Sequence, residues 1–343
     1  MAKMNAAETA TKMVTRLVKG DAGGIAEAAR CLAAGGLVAF PTETVYGLGA
    51  DARNGAAIAR LYAAKGRPAF NPLIAHVADA AAARQLGRFD AAAERLAAAF
   101  WPGPLTLVLP KVERCPVADL ATAGLDSIAV RVPAHPVAQA ILRDFGGPVV
   151  APSANRSGHV SPTTAAHVRE DLTGRLDLIV DGGATPVGLE STIVACLGQA
   201  FGHAFGHHGA PALLRPGGAP REAIERVLGA PLADAPSRDE NVPRAPGMLT
   251  SHYAPRTPLR LDADRVAPGE ALLAFGPALA QGAPAAVKVL NLSAHGDPIE
   301  AAANLFSHLR ALDASGAGTI AVMPIPLAGL GEAINDRLRR AAG

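Results

Sequence analysis

Cysteine is nearly absent from the chain. Cys31, Cys115 and Cys196 stand apart in 343 residues, with no CxxC or Cys/His spacing among them. An odd, scattered set excludes a disulfide framework, offers no structural zinc site and suits a reducing compartment. Aromatic residues are scarce at 4%, while half the chain is hydrophobic, so any core must be built from Ala, Val, Leu and Ile. There is also no surplus of charge. The 32 Lys and Arg against 30 Asp and Glu leave a net +2, which excludes a general polyanion-binding field and makes any nucleotide or RNA contact local. No apolar run approaches the roughly 18 residues needed to span a bilayer. Residues 1–20 are mildly basic and lack the apolar core of a secretory signal. A frayed, solvated start and a cytoplasmic location are the expectations. The common catalytic signatures GxSxG, HExxH, Walker A and GxGxxG after a strand are missing too.

What is there gathers first between Val38 and His76. An apolar strand (37–40) ends in Pro41, and a hydroxyl-rich turn with Gly47 and Gly49 follows. One predicted helix later come Lys65 and Arg67, then Asn71-Pro72 and a second strand (73–77) bearing His76. Strand ends and the loops after them are where α/β folds place ligands. Two cations two residues apart, beside Gly and Pro, form a stiff loop that suits a polyphosphate. The plain alternative for each piece alone is a strand, a turn and a solvated basic loop.

The length fits two domains. Helices are predicted over 24–34, stopped by Gly35-Gly36, from the Asn54 cap to Ala64, and over 78–100 with turns near Gly87 and Asp90. Trp101-Pro102-Gly103-Pro104 forms a rigid break. Strands follow over 105–109 and 128–132, then a helix over 136–145 with Pro in its first turn. A strand over 148–151 runs into Pro152-Ser153-Ala154-Asn155. Further strands are expected over 176–180, from Thr192 toward Cys196, and at Leu213–Arg215. The Gly/His-rich 198–209 admits a metal-binding reading, but no carboxylate or Cys close by completes a site, and a hairpin loop is the preferred expectation. Composition turns to Pro, Asp, Arg and Ser over 230–258, an extended linker. Beyond it, strands over 271–275, 287–290 and 319–323 and helices over 298–312 and from Gly331 form a Rossmann-like unit without a nucleotide fingerprint.

Hydroxyls and cations recur at predicted strand ends: Thr42, Thr44, Lys65, Arg67, Ser127, Arg131, Ser153, Asn155, Ser191 and Arg215. Arg131 alternates with Ile128, Val130 and Val132 and so faces away from its apolar neighbours. It is either a paired structural ion or a carboxylate clamp, and spacing leaves both open. Cations and hydroxyl donors with few carboxylates suit an anionic ligand. Nucleotidyl transfer needs mainly positioning and charge neutralisation. The residues alone thus point to a nucleotide-plus-small-acid site in the first two thirds of the chain.

The same residues carry a resemblance. PTETVYGLGADA, KGRPxxNPLIxH, WPGPLTLVL, SIAVRVPAHP, APSANRSGxxSPT, GLESTIV and LLRPG, in this order, resemble the YrdC-like threonylcarbamoyl-AMP synthase family. APGMxxxHYAP and the C-terminal unit are similar to its long, two-domain form. The resemblance implies an α/β fold: a twisted mixed sheet with flanking helices and a basic cleft, then a linker and a smaller Rossmann-like domain. The expected boundaries are 1–23 (extension), 24–229 (YrdC-like catalytic domain), 230–258 (linker and lid) and 259–343. It implies a nucleotidyltransferase that turns L-threonine, bicarbonate and ATP into threonylcarbamoyl-AMP and pyrophosphate, the first step toward N6-threonylcarbamoyladenosine next to the tRNA anticodon. Carried over by motif, Lys65, Arg67, Ser153 and Asn155 are the catalytic set around the phosphates. Thr44, His76, Arg131, the Ala151 backbone and Ser191 bind threonine. Arg67, Asn71, Ser127, Ser153, Ser161, Arg215 and His252, with Tyr253 beside it, bind ATP. No protein-held metal is expected, only Mg²⁺ with the triphosphate. Downstream tRNA threonylcarbamoyl-transferase proteins, and a tRNA contact through double-stranded RNA binding, are the implied partners. The 198–209 segment is longer than the turn expected of the family. Two other readings are an RNA-binding module without catalysis, disfavoured by the near-neutral charge and the lack of stacking aromatics, and the carbamoyl-transfer module of hydrogenase-maturation proteins, whose paired-cysteine zinc motifs are absent.

Overall fold

The computed structural model describes residues 13–198, 209–234 and 253–343. An eleven-stranded mixed sheet runs through the first two thirds. From edge to edge its strands are β1 (Arg16–Lys19), β8 (Leu178–Asp181), β2 (Val38–Pro41), β3 (Tyr46–Asp51), β7 (Val149–Val150), β4 (Ile74–His76), β6 (Ser127–Arg131), β5 (Leu105–Pro110), β9 (Thr192–Ala195), β10 (Ala212–Arg215) and β11 (Ala233–Asp234).

Two of these strands depart from the sequence expectation. Residues 16–19 do not fray: β1 pairs in parallel with β8, Arg16 opposite Leu178. Its mostly exposed residues carry no apolar alternation to reveal it. The glycine-bearing stretch after the Thr42–Val45 turn is likewise a strand rather than a loop, with β3 antiparallel to β2. Tyr46, Leu48 and Ala50 bury one face of β3. Gly47 and Gly49 hold the other, where a Cβ on Gly49 would lie 2.6 Å from the Phe40 ring. Glycine on alternate positions hides the period-two signal while allowing the close approach.

The helices follow their caps. Asp21 caps α1 (Ala22–Ala33) through the Gly24 N–H, and the Asn54 side chain accepts from two backbone N–H groups at the start of α2 (Gly55–Lys65). Gly66 ends α2 at φ +62°, a left-handed conformation in which glycine carries no Cβ penalty. The helical run over 78–100 divides into α3 (Ala80–Arg84) and α4 (Ala91–Phe100), each capped by an Asp. α5 (Asp119–Thr122), α6 (Pro136–Phe145), α7 (Ala165–Leu172) and α8 (Arg221–Leu228) complete the first unit.

The second unit is a four-stranded parallel sheet in the order β12 (Leu259–Arg260), β15 (Thr319–Val322), β13 (Glu270–Ala274), β14 (Val289–Asn291). It packs with α9 (Pro298–Asp313) and α10 (Gly331–Ala342). The two units share a core, because Val45, Val160 and Leu189 of the first join the apolar cluster around Phe306, Leu309 and Ile334 of the second. Gly188 sits against the α9 backbone, where a Cβ would lie 2.4 Å from the Ala302 carbonyl oxygen. Polar ties reinforce the junction. Arg310 of α9 meets Asp171 of α7 at 3.0 Å, and Arg221 of α8 meets Glu332 of α10 at 2.7 Å. No helix among the described residues is long and apolar enough to cross a membrane.

Candidate active site

On one side of the central strands, the apolar cluster of Ile74, Val108, Ala129, Ile193 and Leu214 includes no helical residue. Beside it opens a cleft. Sheet register builds its floor. β4 and β6 run parallel with His76 directly opposite Arg131, and β7 runs antiparallel to β4 with Val149 opposite His76. Thr44 and Val45 from the β2–β3 turn, Arg67 after α2, and Ala151 to Ser153 after β7 form the near walls. Glu190, Ser191, Arg215 and Tyr253 form the far wall.

Arg131 lines the cleft and is also a paired ion, so the structure joins the two readings that spacing left open. Its Nη2 donates to Glu43 Oε1 at 2.7 Å and its Nε to the Gly103 carbonyl at 3.2 Å. The other Glu43 oxygen accepts the Ala134 N–H at 3.0 Å. Burial alone would raise the Glu43 carboxyl, but the charge and hydrogen bond of Arg131 hold it below the usual carboxylate range. His76 is fully buried, and burial, with Arg131 beside it, pushes its imidazole down to about 3. It is therefore neutral at working pH. Its Nδ1 lies 3.2 Å from the Ile74 carbonyl oxygen, and the Val149 backbone also bonds the ring. The Ala151 N–H is engaged by the Ile74 carbonyl at 3.1 Å, so any backbone contact to a ligand falls to the Ala151 carbonyl.

The remaining cations hold loops. Arg67 donates to the Asn71 and Pro72 carbonyls at 3.3 and 2.9 Å, curling the loop around itself while facing the cleft. Arg215 reaches the Ser191 carbonyl at 3.2 Å from Nε and 2.8 Å from Nη2, and the Ser191 hydroxyl lies 2.7 Å from that of Thr106. Lys65 is buried away from the cleft lining. Its Nζ donates to the Ser153 and Asn155 carbonyls, both at 2.5 Å. The Ser153 hydroxyl in turn donates to Asn155 Oδ1, and Asn155 Nδ2 donates to the Arg156 and His159 carbonyls. Burial and then Arg67 drive the Lys65 ammonium well below its ordinary value.

The expected site residues thus divide. Thr44, Arg67, His76, Arg131, Ala151, Ser153, Ser191 and Arg215 line one cleft. Lys65 and Asn155 stand behind Ser153. Ser161 donates to Glu190 Oε1 at 2.5 Å, one layer back. Ser127 lines a separate, smaller cavity with Pro72 and Thr122. Asn71 is buried with both side-chain atoms unpartnered among the described residues. Leaving such a group unmatched costs about 1–3 kcal/mol, so it fits a position completed by a ligand. His252 and residues 199–208 lie outside the described residues.

Two carboxylates escaped the sequence reading. Glu43 and Glu190 neutralise Arg131 and Arg337 across separations of 88 and 147 residues. A lone carboxylate inside each otherwise neutral motif, PTETVYG and GLEST, is the signal that marks them. Burial would raise the Glu190 carboxyl, yet Arg337 and then Arg215 hold it low. Among the described residues no three His, Cys, Asp or Glu converge as metal ligands.

Residues 30–203 match the family model Sua5_yciO_yrdC, described as telomere recombination, and residues 219–343 match the threonylcarbamoyl-AMP synthase C-terminal domain. A threonylcarbamoyl-AMP synthase of Bacillus subtilis (strain 168) is 41% identical over 332 residues, 93% of either chain. One of Pyrococcus abyssi is 43% identical over 326 residues, 90% of this chain and 91% of that one. The crystal structure of P. abyssi Sua5 complexed with L-threonine aligns with a TM-score of 0.83 at 38% identity, covering 96% of this chain and 97% of that one.

Proposed function

The chain belongs to the Sua5–YciO–YrdC family, in the form that carries the threonylcarbamoyl-AMP synthase C-terminal domain, and from that premise we infer that it is an L-threonylcarbamoyladenylate synthase. It joins L-threonine, bicarbonate and ATP into threonylcarbamoyl-AMP and pyrophosphate, the first step of tRNA N6-threonylcarbamoyladenosine synthesis. The observation that supports this best is the pairing of His76 with Arg131 on the floor of a cleft that Arg67 and Arg215 also face. A neutral imidazole beside a guanidinium suits a hydroxy amino acid, and the two further guanidinium groups suit a polyphosphate.

In this reading Arg131 takes the threonine carboxylate. Thr44, His76, the Ala151 carbonyl and Ser191 surround the hydroxyl and the amine. Arg67, Asn71, Ser127, Ser153, Ser161, Arg215 and His252 receive ATP, while Lys65 and Asn155 fix the Ser153 loop against the phosphates. The threonine amine is first carboxylated by bicarbonate to a carbamate, with loss of one water molecule. A carbamate oxygen then attacks the α-phosphorus, and the bond to the pyrophosphate leaving group breaks. Carbamates decompose readily, so exclusion of water is part of the chemistry. Mg²⁺ brought with ATP would neutralise triphosphate charge. The one carboxylate in the cleft lining among the described residues, Glu190, is already paired with Arg337, so phosphate oxygens and water would be its ligands. The product passes to tRNA threonylcarbamoyl-transferase proteins in the cytoplasm.

The test is pyrophosphate release. It should require threonine and bicarbonate together. ATP turnover that ignores threonine, or tight tRNA binding with no turnover, contradicts the reading.

A further inference from the structure

Arg337 of α10 is the largest fully buried side chain among the described residues, at 0% exposure. A buried guanidinium is costly unless every face of it is matched, and an apolar residue of similar volume often serves packing as well or better. Docking of the second unit onto the first therefore does not explain a cation at this position. Its partners do. Nε donates to Glu190 Oε2 at 2.8 Å, Nη2 to the Pro216 carbonyl at 3.1 Å and Nη1 to Asp336 at 2.6 Å. The guanidinium carbon lies 4.9 Å from the centre of the Tyr253 ring. Only Asp336 belongs to the second unit.

Each remaining partner leads to the cleft. Glu190 lines it and, through its other oxygen, holds the Ser161 hydroxyl. Pro216 follows Arg215 directly, so its carbonyl anchors the turn that carries that guanidinium. Tyr253 lines the cleft at the end of the linker, stacked on Phe306 with ring centres 5.8 Å apart. Its backbone sits at φ +68°, a conformation a bulky residue keeps only when its surroundings impose it. Ser161, Arg215 and Tyr253 all belong to the half of the cleft assigned to ATP. None of the Arg337 contacts is with Thr44, His76, Arg131 or Ala151, and Ser191 is reached only at second hand, through Arg215.

We propose that Arg337 is a positioning residue through which the second domain sets the nucleotide half of the cleft. It holds the Glu190–Ser161 pair, the turn behind Arg215 and the Tyr253 ring in one arrangement. The second domain is then part of the nucleotide site at one remove, beyond supporting a lid. The proposal rests on the synthase reading for the identity of the nucleotide.

The test uses the full chain with Arg337→Met, Arg337→Lys, Glu190→Gln and the Arg337→Met/Glu190→Gln double variant, with the exposed Arg339→Met as control. Pyrophosphate release gives KM for ATP and for threonine, calorimetry gives ATP affinity directly, and thermal melting reports the fold. In Arg337→Met the KM for ATP should rise by about tenfold or more, the scale set by one lost charge-assisted contact, while that for threonine moves less than about threefold. The double variant should regain part of the loss, because a neutral amide can still accept from Ser161 without needing the cation. Arg337→Lys should fall between wild type and Arg337→Met. An unchanged ATP KM in a folded Arg337→Met protein overturns the proposal. So does parallel loss of both substrates in step with melting temperature, the mark of a merely structural residue. If Arg337→Met does not fold, the double variant and Arg337→Lys decide on the same readouts. A wild-type protein that releases no pyrophosphate refutes the synthase reading instead, and direct ATP binding then judges Arg337 by itself.

Discussion

The acid-binding half of the cleft centres on two strands and most of the nucleotide half on loops, although Thr44, Ala151 and Ser191 of the first lie in connections and Arg215 of the second ends β10. His76 and Arg131 are register partners on adjacent parallel strands, and Arg131 is tied to Glu43 and Gly103 within the same domain. Nothing from the second domain is needed to aim them. Arg67, Asn71 and Ser153 sit instead on connections held by backbone carbonyls. Glu190, Ser161 and Tyr253 take their positions from contacts that end on α9 and α10. Strands hold side chains to fixed geometry without help, whereas loops need a supporting layer. In this protein the second domain supplies much of that layer.

Removing the second domain is the harshest way to probe this contrast. Ending the chain after Asp234 keeps α8 and β11, which belong to the first core and sheet. Synthesis should fall by about 10²-fold or more through misplacement alone, while calorimetry still detects threonine. Loss of threonine binding in a truncated protein with intact circular dichroism would erase the distinction between the halves.

Glu43→Ala attacks the strand-built half. It strands a buried guanidinium, a loss of about 3–5 kcal/mol, visible as a lower denaturant midpoint together with weakened threonine binding. Unchanged stability would mean that Arg131 finds another partner. Asn71→Ala attacks the loop-built half with the opposite signature. The Asn71 amide has no partner to lose among the described residues, so the ligand-free protein should melt within about 1 kcal/mol of wild type while ATP affinity drops about tenfold. A large loss of stability without ATP would show that the amide is already satisfied.

Much of the fold was legible before any coordinates. The Asn54 cap and Gly66 stop bracket α2, Pro136 opens α6, and the apolar runs of the second domain became β13, β14 and β15 within a residue or two. What stayed hidden had a physical reason each time. β1 is a short, exposed edge, β3 conceals its alternation behind glycine, and β11 and β12 are two residues long. In the cleft, cations and hydroxyls at strand ends could be seen in the sequence. Which of them face inward could not, because Lys65 and Ser161 are turned away by partners 88 to 90 and 29 residues distant. The amino-acid half came from the family resemblance, since spacing could not separate a clamp from an ion pair at Arg131.

The smallest expected effect concerns pH. Unfolded imidazoles protonate near their ordinary pKa of 6.5, but folded His76 resists down to about 3. The unfolded state binds the extra proton between those values, so His76 favours the fold fully above 6.5 and loses that contribution as pH falls toward 3. His167, pushed down to about 4 mainly by burial, adds to the same slope. Denaturant midpoints should therefore decline from pH 7 to pH 5, less steeply in His76→Gln. An identical decline in that variant would assign the slope elsewhere.

The contrast between the halves is tested most directly by crossed calorimetry on the full-length Arg131→Ala and Arg337→Met proteins, each titrated with threonine and with ATP. Arg131→Ala should lose threonine by about 10²-fold and hold ATP within about threefold, and Arg337→Met should do the reverse, losing ATP by about tenfold. Parallel loss of both ligands in either protein would contradict a cleft whose two halves are held separately.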